Sequence, residues 1–299
     1  SPAGPPRPRR RRKATRPTRS ATGEFVAAHG TSMTAGKVTT ATLRTMKAQR
    51  QRITALTAYD HLFASLLDEA GVDIVLVGDS VATVVQGRDT TVPVTMDQMV
   101  YHTELVARGC KRALVVGDLP FLSYQISVED ALRSAGRLLK EGLAEAVKLE
   151  GGVAFAPTVQ RLVDAGIPVM GHVGLTPQSI HQFGSYRARG QDAEEQQRIV
   201  EDAKCLEQAG AFALVLEKVP AELGKRVAEA VAIPVIGIGA GPHVDGQILV
   251  THDLLGLFTK FRPRFVRRYR ELGKEIGDAV RAYCQDVQKG AFPGERESY

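Results

Sequence analysis

The feature that most narrows what this chain can fold into is a rhythm. From about residue 41 onward, short apolar runs alternate with segments of helical period, and three of those runs end at an acid. Ile74-Val-Leu-Val-Gly78 precedes Asp79, Ala113-Leu-Val-Val-Gly117 precedes Asp118, and Ala146-Val-Lys-Leu149 precedes Glu150. Runs this short and this continuously apolar predict parallel strands buried on both faces. The pattern places strands at 53–58, 74–78, 113–118, 146–149, 168–172, 213–216 and 234–238, with a weaker eighth at 254–257. Pro168 and Pro234 each open a strand, where a missing amide costs least. Helical segments at 61–70, 128–141, 193–209 and 221–230 lie between them, the first three each ending at a glycine.

Seven or eight β/α units in roughly 220 residues predict a TIM-like (β/α)8 barrel rather than an open doubly wound sheet. A chain of 299 residues with 43% hydrophobic content can fill such a core as one domain, here assigned to 41–299. The open sheet is further disfavoured because Gly237-Ile-Gly-Ala-Gly241 lacks the third glycine of a dinucleotide fingerprint, and no phosphate-binding Walker sequence occurs. That turn is expected either to let backbone approach a ligand or to turn sharply into the next helix. Beyond the barrel, Phe265, Tyr269, Leu272, Ile276, Val280 and Tyr283 recur every three or four residues. They predict an amphipathic helix whose apolar face seals its own barrel or crosses to a second subunit.

The net charge of +6 is concentrated at the start of the chain. Residues 1–23 carry eight basic side chains (Arg7, Arg9 to Arg12, Lys13, Arg16 and Arg19), five prolines and no acid, so the remainder is close to neutral. Such a segment cannot bury enough apolar surface to offset its ordering entropy, and residues 1–40 are expected to form a disordered extension. It reads as a nucleic-acid-binding arm, an organelle-targeting presequence, or a solvated extension without a role, with Met33 a plausible alternative start. Nucleic-acid binding is the less favoured of these. No apolar stretch is long enough to span a bilayer. Cys110, Cys205 and Cys284 are widely separated, which points to a reducing, cytoplasmic setting rather than a disulfide framework.

Ionisable groups at successive strand ends point to an enzyme, because parallel barrels place their chemistry there. Taken singly, Asp79 reads as a helix N-cap, whereas Pro120, two residues after Asp118, makes a plain helix start less natural there. Together with Glu150 the two aspartates predict carboxylates converging on a hard cation, and Mg2+ is expected over Zn2+ because no histidine or cysteine shares those three strand ends. Lys148 and Glu150 alternate, so both side chains face one side of a strand. Lys148 is expected to meet an anionic substrate or, on the plainer reading, to form a buried ion pair with Asp79 or Asp118. His172 and Glu217 follow the fifth and sixth strands as candidate catalytic residues; alone they read as a structural histidine and a surface ion-pair partner.

Over roughly 41–299 the chain resembles the ketopantoate hydroxymethyltransferase family. The likeness is carried by Leu56-Thr-Ala-Tyr-Asp60, Gly78-Asp-Ser80, Gln86-Gly87, Thr90-Thr-Val-Pro93, Asp118-Leu-Pro-Phe121 and Lys148-Leu-Glu-Gly-Gly152. It continues in Gly171-His-Val-Gly-Leu-Thr-Pro-Gln178, Glu217, Gly237 to Gly241, Asp245-Gly-Gln247 and Phe292-Pro-Gly-Glu295. Val81-Ala82-Thr83 replaces a common Leu-Gly-Met, a change that bears on loop shape and folate fit. The resemblance implies a Mg2+-dependent barrel of the phosphoenolpyruvate/pyruvate superfamily that moves a hydroxymethyl group from 5,10-methylenetetrahydrofolate to 3-methyl-2-oxobutanoate. It also implies Asp79, Asp118 and Glu150 at the metal, and Asp79, Ser80, Asp118 and Lys148 at the substrate. It further implies Glu217 as the base, His172 near the transferred carbon, and a large homo-oligomer, commonly a decamer. A metal-dependent lyase or mutase of the same superfamily and an inactive barrel serving as a scaffold are the competing readings.

Overall fold

The computed structural model describes residues 36–259 and 261–299, together with Ser1 and Gly4. Most of the basic segment expected to be disordered therefore lies outside the described residues. The folded body begins before the expected boundary at 40/41. Val38 is buried, and the Thr39 side chain accepts the Thr42 amide to cap helix Thr40–Ala48.

Eight parallel strands close into a barrel in sequence order. They are β1 (Ile53–Thr57), β2 (Ile74–Val77), β3 (Leu114–Asp118), β4 (Ala146–Glu150), β5 (Val169–Gly174), β6 (Ala213–Glu217), β7 (Val235–Ile238) and β8 (Gly246–Leu249). Closure comes from β1 pairing with β8, Ile53 lying opposite Gly246. The period of two along each strand produces two cores. Ile74, Leu76, Leu114, Val116, Ala146, Met170, Val215 and Ile236 fill the barrel, and Leu43 and Met46 of helix Thr40–Ala48 pack with them. Val75, Val77, Val115, Val147, Leu149, Leu214 and Leu216 belong to the separate layer between strands and helices.

Three expectations need correction. The eighth strand is not 254–257, where helix Thr251–Leu254 ends, but Gly246–Leu249. Gly246 hides it: Asp245-Gly-Gln247 reads as a turn, yet a Cβ on Gly246 would stand 2.5 Å from the Ile53 carbonyl oxygen, so close strand approach requires glycine. The glycine turn after β7 leads into no helix but directly to β8; Gly239 and Gly241 adopt positive φ, and the Phe265 ring occupies the space a Cβ on Gly239 would need. The last long helix is Leu272–Gln288, so Phe265 and Tyr269 precede it. Along that helix Ile276, Val280, Tyr283 and Val287 are 45–56% exposed, and none of its residues is buried.

Candidate active site

The interior parity of the strands carries the chemistry to the barrel mouth. Leu114 and Val116 point inward, and two residues on so does Asp118; Ala146 is followed in the same way by Lys148 and Glu150, Met170 by His172, and Val215 by Glu217. Asp79 and Ser80 stand just past β2, in the turn before helix Val81–Val84. All seven of these side chains, the residues expected from sequence, line one cavity of about 170 Å3. Asp79, Asp118, Lys148, Glu150 and His172 are each at most 5% exposed.

The N-cap alternative for Asp79 does not hold. Helix Val81–Val84 has no side-chain cap; Asp79 Oδ2 accepts from Gln178 Nε2 at 3.2 Å and the Asp79 amide donates to Asp118 Oδ2 at 3.1 Å. Ser80 Oγ and the Tyr59 hydroxyl lie 2.7 Å apart. The plainer expectation for Lys148 is realised: its Nζ is 3.0 Å from Asp118 Oδ1 and 3.8 Å from Glu150 Oε1. Asp118 Oδ1 is buried, and among the described residues the Lys148 ammonium is its one close polar neighbour. His172 Nδ1 lies 3.2 Å from Lys148 Nζ and 3.5 Å from Glu150 Oε1, while Nε2 faces Glu217 Oε2 at 3.4 Å.

These contacts set the protonation states. Burial pushes Asp79 up to about 8, helped by the negative charges of Asp118 and Glu150 and opposed by Lys148. Burial also raises Asp118, with Lys148 pulling the other way. For Glu150, burial is outweighed by His172, Lys148 and the Gln178 amide, which hold it below the usual carboxylate range. Burial and the Lys148 ammonium depress His172, but Glu150 and Glu217 prevail and lift it to about 9. With Nδ1 then protonated toward Glu150, Lys148 cannot donate to that nitrogen, and its 3.2 Å approach is a close packing of two cations among carboxylates.

Among the described residues, no three His, Cys, Asp or Glu side chains converge tightly enough to enclose an ion unaided. What the site offers is a cluster of buried carboxylates: two aspartates side by side, Asp118 Oδ1 met only by the Lys148 ammonium, and Glu150 on the same cavity. That donor set fits Mg2+, which takes one or two protein carboxylates and completes its octahedron from substrate and water.

Sequence reasoning missed the supports. Tyr124, whose hydroxyl accepts from the Glu150 amide and bonds to Gln178 Oε1, carried no signal. Gln178 lay within a recognised motif without a role, yet its amide donates to Glu150 Oε2 and its side chain to Asp79 and the Leu119 carbonyl. Phe265 lines the cavity from a segment expected to be helical. A second cavity of about 380 Å3 adjoins the first, sharing Thr91, Pro177, Glu217, Val250 and Asp253 with it.

Residues 37–295 match the family described as ketopantoate hydroxymethyltransferase. A 3-methyl-2-oxobutanoate hydroxymethyltransferase of Prosthecochloris aestuarii is 56% identical over 266 residues, spanning 88% of this chain and 96% of that protein. One of Geobacter metallireducens is 53% identical over 88% of this chain and 98% of its own length. The fold is shared with a phosphonopyruvate hydrolase solved with oxalate and Mg2+ (TM-score 0.57, 14% identity, 86% of this chain and 92% of that one). It is also shared with 2,3-dimethylmalate lyase, a member of the PEP mutase/isocitrate lyase superfamily (TM-score 0.56, 18% identity, 85% and 89%).

Proposed function

The chain belongs to the ketopantoate hydroxymethyltransferase family, and from that premise we propose that it converts 3-methyl-2-oxobutanoate, 5,10-methylenetetrahydrofolate and water to ketopantoate and tetrahydrofolate in pantothenate synthesis. The observation that carries this reading is the gathering of Asp79, Asp118, Lys148, Glu150, His172 and Glu217 on one cavity at the barrel mouth, beside a larger and more open one.

Asp79 and Asp118 would hold Mg2+, with Glu150 supplying a third negative charge on the same cavity. When bound there, the cation supplies Lewis acidity to the ketoacid's carbonyl oxygen. Lys148 and Ser80 orient the substrate, the ammonium facing its carboxylate. Glu217 takes the proton from C3, and the resulting carbanion equivalent attacks the one-carbon unit. His172, held between Glu150 and Glu217, orders the water that becomes the new hydroxyl and keeps a proton within reach of Glu217. The exposed stripe of helix Leu272–Gln288 supports a homo-oligomer, for which the resemblance implies a decamer. The three free cysteines fit a cytoplasmic setting.

Incubation with the ketoacid, the folate donor and Mg2+ must yield ketopantoate; no product would sink the reading. Glu217→Gln should abolish Mg2+-dependent deuterium exchange at C3 while the protein still binds Mg2+, and persistent exchange would remove Glu217 from the role of base.

A further inference from the structure

The second cavity holds a group that the proposed chemistry does not use. Asp253, in helix Thr251–Leu254, lines both cavities and therefore stands at their junction. It is partly buried, and among the described residues its carboxylate accepts no hydrogen bond and has no cation within 4.0 Å. The arginine whose charge it feels, Arg268, is directed elsewhere, to Glu271 at 3.2 Å and to the Phe258 carbonyl at 3.1 Å. Burial holds the Asp253 carboxyl up at about 6, the behaviour of an acid whose polar partner is missing. Its oxygens open onto the cavity, where a ligand's donors can take the place of water.

The walls around it define that ligand. Val84, Phe258, Phe261 and Pro263 give the outer cavity an apolar lining suited to a flat ring, and Arg88, with Asp89 beside it, borders the outer cavity but not the inner one. A flat heterocycle with donors at its inner end and an anionic tail at its outer end matches this order. The pyrimidinone of a reduced pterin presents its 2-amino and N3 hydrogens side by side, two parallel donors that one carboxylate accepts together. We propose that Asp253 recognises this edge of the folate donor, an inference that rests on the donor assigned above. Glu217 borders the same junction, so a ring anchored at Asp253 lies against the inner cavity where the carbon must be delivered, and the folate's glutamyl carboxylates leave past Arg88.

The test is binding of tetrahydrofolate, and of its analogue lacking the 2-amino group, to the wild-type protein and to Asp253→Asn by calorimetry. Asp253→Asn should weaken tetrahydrofolate by about tenfold or more, because a charged acceptor of two hydrogen bonds is replaced by an amide that brings its own donor into the pair. The analogue should lose less than about threefold, having already forfeited one of those bonds. Retained binding of Mg2+ and ketoacid shows that the variant is folded. A change below about twofold for tetrahydrofolate, or equal losses for both ligands, overturns the assignment. If the wild-type protein makes ketopantoate and Asp253→Asn leaves the KM for the folate donor unchanged, Asp253 alone is at fault. If the wild-type protein makes no ketopantoate, the donor assignment fails and this inference falls with it.

Discussion

Replacing Lys148 by methionine removes the ammonium nearest Asp118 in the inner cavity while keeping most of the side-chain volume. Lys148 is 3% exposed and sits 3.0 Å from Asp118 Oδ1 and 3.8 Å from Glu150 Oε1. Breaking a buried pair from one side costs about 3–5 kcal/mol, because the remaining charge is left without compensation. Proton uptake limits that cost here: Asp79 is already raised to about 8 and Asp118 is raised as well, so carboxyls in the variant can neutralise at modest expense. About 3 kcal/mol, the lower end of the range, is therefore expected near neutral pH without metal, rising toward the upper end above pH 8. The sign of the pH dependence follows from the same shifts. A carboxyl whose folded pKa lies above its unfolded value contributes stability that is complete below the unfolded value and is lost as pH rises through the folded one. The deficit of Lys148→Met should accordingly shrink as pH falls below 8. Millimolar Mg2+ should shrink it too, since a dication replaces the missing charge. Urea unfolding at pH values on either side of 8, with and without Mg2+, measures all of this. A deficit indifferent to both pH and Mg2+ would show that the Lys148 ammonium does not balance these carboxylates.

The same charge balance predicts that Mg2+ binding at neutral pH expels close to one proton, from Asp79, because the metal takes only the ionised form. Calorimetry in buffers of different ionisation enthalpy reads that proton; it should vanish well above pH 8 and in Asp79→Asn, and its absence at neutral pH would contradict the raised acid. At the barrel seam, Gly246→Ala sets a methyl 2.5 Å from the Ile53 carbonyl oxygen and 2.8 Å from Ile53 Cβ, both fixed by the β1 backbone. Overpacking of that kind costs about 1–3 kcal/mol, so the urea midpoint should fall markedly, and an unchanged midpoint would mean that β1 and β8 do not pair as described.

What could be read from the chain beforehand follows from the range of the interactions involved. A run such as Ala146-Val-Lys-Leu-Glu150 states its own geometry: a period of two puts Lys148 and Glu150 with Ala146 inside the barrel, and the same count places Asp118, His172 and Glu217. The eighth strand escaped because its glycine answers to Ile53, nearly two hundred residues away, and a glycine demanded by a distant carbonyl looks locally like a turn. Phe265 escaped for the same reason, its spacing satisfying a helix although its ring packs on Gly239. Lys148 shows the limit most clearly. Its position was legible, but its partners are set by which strands become neighbours when the barrel closes: β3 brings Asp118 against Lys148 and β5 brings His172 against Glu150.

That closure explains why the supports are neutral and long-range while the acids are local. Asp79, Asp118, Lys148, Glu150, His172 and Glu217 come on, or just after, strands of the barrel, but carboxylates gathered so closely repel one another and would turn away unless held. Gln178 and Tyr124 hold them, joining the turn after β2, the chain after β3, the end of β4 and the segment after β5 through the bonds to Asp79, Leu119 and Glu150. An amide and a phenol can do this without adding charge that a bound cation would have to displace. On the proposed reading the acidic strand ends would set where a cation binds, and the two uncharged side chains hold the acids together there.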